Sequence, residues 1–394
     1  MRERDLRIDF LRGMAIFIIA INHYTGLAGE LDVVGAVRIY TTSHIGWSSA
    51  AEPLMFFSGY VFGIVYLGVY QKRGMGMAFL KAAHRAWQLY VIMLFTLLGL
   101  IAFAVYPFGR PEIVEFLRLG YVLDDPLMAL SRFVTMTYTV TFFTILNVYI
   151  MFLLAAPWLL PFVEKRPWVA LAISGGLWAA VQAFPGFNIT SLEGVYEFNP
   201  FAWQFIFIIG LVLGAGRYLE VLSEKIDWRG IFALGAALFA ISAWKAMKKV
   251  ADFGMFGMGD WADFFATPFA EFTNLEPLRL LHFLILMTFV YALLPASRRL
   301  NEFWIARQFM RCGQQSLECY CLSIVTCVLL ATVVAELNGG LLLYLVVCAV
   351  NLAIVFAASH FVAWMKSSPW ATPKAAAQTG SAASPSAPDA RRAA

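Results

Sequence analysis

An all-α fold, a polytopic integral membrane protein of about ten transmembrane helices with both termini cytoplasmic, is what this sequence predicts. Three observations carry that prediction. The chain is 61% hydrophobic and only 14% charged over its 394 residues, with a mean hydropathy of +0.72, a balance that excludes a soluble multi-domain protein. Its apolar residues gather into stretches of roughly 17 to 25, the length that crosses hydrocarbon as a helix. Lys and Arg fall between alternate stretches, in a ratio of about three to one favouring the side that holds the N-terminus, which makes that side cytoplasmic. The basic residues punctuate apolar runs and do not cluster with solvated aromatics, so no nucleic-acid partner is expected. The expected surroundings are the lipid bilayer.

The first span, 10–28, is the most polar of the set. Arg2, Arg4 and Arg7 precede it as anchors, and Asp9, Arg12 and His23 lie within or beside it. Arg12 and His23 are eleven residues apart, hence within about 20° on one helix face, and Asp9 falls about 40° from His23. Arg12 sits some 16 Å along the axis from the imidazole. Ionisable groups in a span are costly and face a bundle interior or a wet cavity, so this stripe suits a long ligand with an anionic end and a reactive end. A cleaved secretory signal, with a small-residue site near Ala28 and Gly29, would discard Asp9 and Arg12 and is the weaker reading.

The later spans follow at 47–70, 80–106, 136–163, 168–184, 199–219, 229–249, 275–295, 314–337 and 340–365. The second opens with Ser48 and Glu52, four apart on one face. The third opens with His84 and Arg85. Asn199-Pro200 and Trp203-Gln204 open the sixth, where Pro suits a helix start and Gln204 suits interhelical hydrogen bonding or a ligand. The eighth opens with Glu276, Arg279 and His282, and the ninth with Gly313, Gln314 and Ser316. Cys312, Cys319, Cys321, Cys327 and Cys348 all lie in or beside the last two spans; Cys319 and Cys321 point about 200° apart on a helix, so they are read as small packing residues. The outer loops 29–46, 107–135, 185–198 and 250–274 are rich in aromatics. The chain divides into a membrane domain, 1–366, and an Ala/Ser/Pro-rich cytoplasmic tail, 367–394, expected to be disordered. There is no internal repeat, P-loop, dinucleotide fingerprint or metal-ligand spacing, so no metal site is predicted.

With this orientation, Asn22, His23, Ser48, Glu52, Arg279 and His282 converge at one level near the outer face. An imidazole beside a carboxylate is what a general base needs, because the carboxylate fixes the tautomer and stabilises the imidazolium. Asp9, Arg12, Arg85 and Ser316 meet near the inner face, where paired guanidiniums suit phosphate groups.

These residues stand in runs that resemble a known family. Arg4-Asp5-Leu6-Arg7-Ile8-Asp9-Phe10-Leu11-Arg12-Gly13 through Asn22-His23, Ser48 to Glu52 with Phe57-Ser58-Gly59-Tyr60, and Arg85 to Tyr90 are similar to the OpgC family of membrane acyltransferases. So are Phe198-Asn199-Pro200 with Trp203-Gln204, Pro277 to Phe283 with Arg279 and His282, and Gly313 to Leu317. That family is similar to the wider acyltransferase 3 group, whose first helix carries Arg, ten residues, then His, as Arg12 and His23 do here. The resemblance implies ten spans in a bacterial inner membrane, an acyl-CoA donor (succinyl-CoA in the reaction the family is named for), no bound cofactor, and O-acylation of an extracytoplasmic glycan such as periplasmic glucan. On this reading His23 is the base, Glu52 supports it, and Arg279 or His282 stabilises the oxyanion. Asp9, Arg12, Asn22, Ser48, Arg85, Asn199, Trp203, Gln204 and Ser316 bind substrate. The competing class, a transporter or flippase, would use the same residues as a path, and calls for broken helices and paired halves that the sequence does not display.

Overall fold

The carboxylate of Asp5 starts the first helix. It accepts from the Arg7 backbone N–H at 3.0 Å, the N-cap interaction that satisfies an orphan donor of the first turn. The same carboxylate takes the Arg7 guanidinium at 3.0 Å, the Ser297 hydroxyl at 2.8 Å and the Tyr291 hydroxyl, which ties the start of the helix to elements almost three hundred residues on. Burial alone would raise the Asp5 pKa; the hydrogen bonds from Arg7, Tyr291 and Ser297 outweigh it and hold the group below its ordinary value.

The computed structural model describes residues 4–36, 39–105, 109–184, 186–192, 194–252, 271–368 and 370. Its helices of eleven residues or more are, in order, α1 (Leu6–Glu30), α2 (Ala51–Val105), α3 (Thr144–Ala155), α4 (Pro167–Ala183), α5 (Pro200–Ala215), α6 (Trp228–Asp252), α7 (Pro277–Leu293), α8 (Trp304–Gln314), α9 (Ser316–Glu336) and α10 (Leu341–Lys366). One hairpin, β1 (Thr190–Ser191) and β2 (Gly194–Val195), is the departure from an all-α chain among the described residues. Among the described residues, six helices are long and apolar enough to cross a membrane, or seven when Pro200–Ala215 and the bent Tyr218–Lys225 are taken as one span. The protein is an integral membrane protein. Helix α2 is counted once there, yet it turns at Gly74, whose φ of 78° is the left-handed region that glycine enters without penalty. Its two arms are the second and third apolar stretches. Helices α4 and α7 are shorter apolar elements of 17 residues each.

Glycines set two close crossings in the bundle. A Cβ at Gly59, Gly63, Gly210 or Gly214 would stand 1.9, 2.1, 2.1 or 2.0 Å from a backbone carbonyl oxygen of the facing helix. Both α2 and α5 therefore present glycines four residues apart, and their backbones touch, as small residues permit between helices in lipid. Helix α1 meets the amphipathic α8 in the same manner through Gly13 and Gly313.

One expected span is shorter than its apolar run. Residues 136–163 read as continuous helix, but α3 begins only at Thr144. The stretch before it continues an outer segment of three short helices, Pro111–Phe116, Gly120–Asp124 and Pro126–Val134. Arg118, Met136 and Phe142 in this segment have φ of 60°, 58° and 75°. Each offers its carbonyl to a buried tyrosine hydroxyl: Tyr138 to Arg118 at 2.6 Å, Tyr196 to Met136, and Tyr320 to Phe142 at 2.6 Å. Left-handed backbone is unfavourable for side chains of this size, and these tertiary bonds hold it. Of the expected tail, residues 371–394 lie outside the described residues, as do 253–270 of the fourth outer loop.

Candidate functional site

Helix α1 carries two cavities end to end along one face, called inner toward its N-terminal end and outer toward its C-terminal end. The inner one, about 50 Å³, is walled by Arg12 and Ile16 of α1, by Ser58 and Arg85 from the two arms of α2, by Tyr149 of α3 and by Ser316 of α9. The outer one, about 490 Å³, is walled by Ile19, Asn22 and His23 of α1, by Ser49, Ala50 and Ala51 at the start of α2, and by aromatic rings. Ile145 and Tyr320 line both and mark the boundary, or neck, at which the two adjoin. The helical stripe read from the sequence is the wall that joins the two spaces.

At the inner end, Arg12 Nη2 donates to Ser316 Oγ at 2.6 Å, while its Nε is buried with no partner. Arg85 donates to Gln88 at 3.2 Å on the same cavity wall. A buried guanidinium N–H without an acceptor is costly. An anionic ligand in this cavity would satisfy it. Asp9 is elsewhere: it is buried, takes Arg4 at 2.7 Å and Gln314 at 3.3 Å, and lines neither cavity. The Gln314 contact joins the start of α1 to α8.

At the outer end the expected carboxylate is not beside the imidazole. Glu52 is fully buried and accepts from Arg279 at 2.7 Å, from the Ser49 N–H at 2.8 Å and from the Ser49 hydroxyl at 2.5 Å. Its oxygens are thus engaged away from His23. Arg279 lies 4.9 Å over the Phe272 ring, and Phe272 lines the outer cavity. The pair braces the Ser49–Ala51 wall of that cavity. His282 is likewise engaged, at 2.6 Å from Ser48 Oγ. Gly46 passes so close to that imidazole that a Cβ would meet it at 2.4 Å. Ser48 faces a separate apolar cavity between α1, α2 and α7.

His23 is held by rings. Phe142 stacks on its imidazole at 3.8 Å and 29°, and Tyr320 meets it edge-on at 5.9 Å. Its Nδ1 is buried with no hydrogen-bond partner. Asn22, one residue before, also lines the outer cavity and is fixed by Ser43 at 3.1 Å and Thr41 at 2.7 Å. The residues expected to bind substrate at the start of α5 are engaged by protein partners. Asn199 caps α5 through the Phe201 N–H and binds Phe187 and Asn274; Trp203 donates to the carbonyls of Phe272 and Thr273; Gln204 bonds Ser174 of α4.

Residues the sequence reading passed over complete the outer wall. Arg118 and Glu197 line it together with Phe116, Phe142, Phe198 and Phe272. Desolvation raises the Glu197 carboxyl above its ordinary value, and Arg118 acts in the opposite sense. Ser58 of the inner wall stands within a run already singled out, Phe57 to Tyr60, and Glu197 directly precedes another, Phe198-Asn199-Pro200. Nothing local marks Phe142 or Arg118.

A family model described as OpgC protein matches residues 4–367. The chain belongs to the OpgC family. No curated relative and no solved structure matches it. Every residue named on the walls of the two cavities lies inside the matched region, so both are features of the OpgC domain itself.

Proposed function

We propose that this OpgC-family protein is a membrane O-acyltransferase that moves an acyl group from a cytoplasmic acyl-CoA to a hydroxyl of an extracytoplasmic glycan. Succinyl is the acyl group and periplasmic glucan the acceptor that family membership suggests, with the protein in a bacterial inner membrane. The ten apolar stretches would then all cross, the termini would both be cytoplasmic, and 367–394 would be a dispensable tail. The observation that carries the reading is the pair of cavities on one face of α1, with Arg12 in the inner and His23 in the outer. Arg12 and Arg85 hold the donor's phosphates in a site where one guanidinium N–H otherwise lacks an acceptor. The pantetheine arm crosses the neck at Ile145 and Tyr320 and presents the thioester near His23.

The acceptor enters from outside, where aromatic rings and the polar groups of Arg118, Glu197 and Asn22 suit a polyol. His23 takes the hydroxyl proton as the oxygen attacks the thioester carbon. The C–S bond then breaks, and the leaving thiolate takes a proton back from the imidazolium. Glu52, Arg279 and His282 act as wall and not as partners of the reacting atoms.

The test is ester formation by purified protein given labelled succinyl-CoA and a short glucan, read by mass spectrometry. His23→Ala should lower the rate by about 10²–10⁴, the usual worth of a positioned base, with acyl-CoA binding retained. An unimpaired His23→Ala refutes the base. Movement of glucan across proteoliposomes without an ester would make the protein a transporter.

A further inference from the structure

A general base has to keep its ring in one plane, and hydrogen bonds to the far nitrogen usually do this. His23 has no such bond: its Nδ1 is buried without a partner, and the nearby carboxylate of Glu52 is committed to Arg279 and Ser49. The group that does define the plane is the Phe142 ring, stacked at 3.8 Å. Phe142 is itself in a conformation an aromatic residue seldom takes, with φ of 75°. Its carbonyl accepts the Tyr320 hydroxyl at 2.6 Å, from a helix 178 residues away in sequence. Backbone held in an unfavourable region at a site usually serves that site.

We propose that Phe142 and Tyr320 are positioning residues for His23: the Tyr320 hydroxyl fixes the left-handed turn, and the turn presses the Phe142 ring flat against the imidazole. This rests on His23 being the base. Aromatic stacking replaces the carboxylate that orients a histidine in hydrolytic triads. It also keeps the buried nitrogen away from water, so that the ring meets the acceptor by its other edge. Tyr320 does this from the neck between the cavities, where its ring stands at 73° to the imidazole.

The experiment compares Tyr320→Phe, Phe142→Leu, Phe142→Tyr and the double variant Tyr320→Phe/Phe142→Leu with the unaltered protein. Each is purified with its thermal stability recorded, and kcat and KM for acyl-CoA are measured. Tyr320→Phe keeps the ring and loses only the hydroxyl; Phe142→Leu keeps apolar bulk and loses the flat face. Each should lower kcat by about tenfold to a hundredfold, the scale of a small misplacement of a reacting group, with KM for the donor essentially unchanged. Phe142→Tyr should restore kcat. The double variant should be no slower than Phe142→Leu, because the hydroxyl acts only through the ring. Full kcat in Phe142→Leu, or effects that multiply in the double variant, overturns the proposal. A dead His23→Ala beside fully active Phe142→Leu and Tyr320→Phe would leave the base in place and remove the positioning. An active His23→Ala would remove both.

Discussion

Arg12 offers the sharpest single perturbation. Its guanidinium contributes one bond to Ser316 Oγ at 2.6 Å and one buried Nε–H with no protein acceptor. In the proposed donor complex that N–H meets a phosphate oxygen. Hydrogen bonds to charged groups contribute about 1.5–3 kcal/mol, which at about 1.4 kcal/mol per decade is a loss of roughly tenfold to a hundredfold in acyl-CoA affinity for Arg12→Ala. Arg12→Lys should recover only part, since a point charge replaces a planar fork. Ser316→Ala should cost less, about tenfold at most, because it frees the fork without removing it. The assay is acyl-CoA binding to purified protein by calorimetry, with kcat measured at saturating donor. Arg12 is also a topogenic charge, so each variant is first checked for normal insertion. Undiminished donor affinity in a well-inserted Arg12→Ala would return the residue to an anchoring role.

Two further outcomes test the frame around the site. Gly210→Val places side-chain atoms against the Phe56 carbonyl, already 2.1 Å from a Cβ at that position; it should destabilise by about 1–3 kcal/mol and lower the melting temperature. Gly26→Ala, where a Cβ meets nothing within 4 Å, is the control, and equal losses in both would refute the close crossing. Glu52→Leu alone takes away the carboxylate that meets Arg279 at 2.7 Å and should cost about 3–5 kcal/mol, whereas Glu52→Leu with Arg279→Met should recover most of it. If the double variant folds well yet is inactive with donor binding intact, the pair belongs to the reaction and not to the wall.

What the sequence determined by itself is what helix geometry and solvent dictate locally. Apolar runs without charge fold as helices in lipid because each span satisfies its own backbone. Residues eleven apart share a face whatever surrounds them, so Arg12 and His23 could be placed on one stripe from spacing alone, and both line its cavities. The close approach of α2 and α5 came only with the fold, because glycines at 59 and 63 and at 210 and 214 do not by themselves name a partner helix. That the starts of the second and eighth spans come together was legible too, since Ser48, Glu52, Arg279 and His282 form two bonded pairs. Their pairing was not: Glu52 chose Arg279 at a separation of 227 residues, and Ser48 chose His282 at 234. Periodicity orders a residue around its own axis, but which acceptor satisfies a buried charge depends on how the helices are rotated against one another. The conformation of Phe142 was still further from reach. Its apolar surroundings read as helix, and only a hydroxyl from α9 stabilises the left-handed turn that brings its ring to His23. A backbone state that is unfavourable locally exists because distant contacts offset its cost, so no local pattern can announce it.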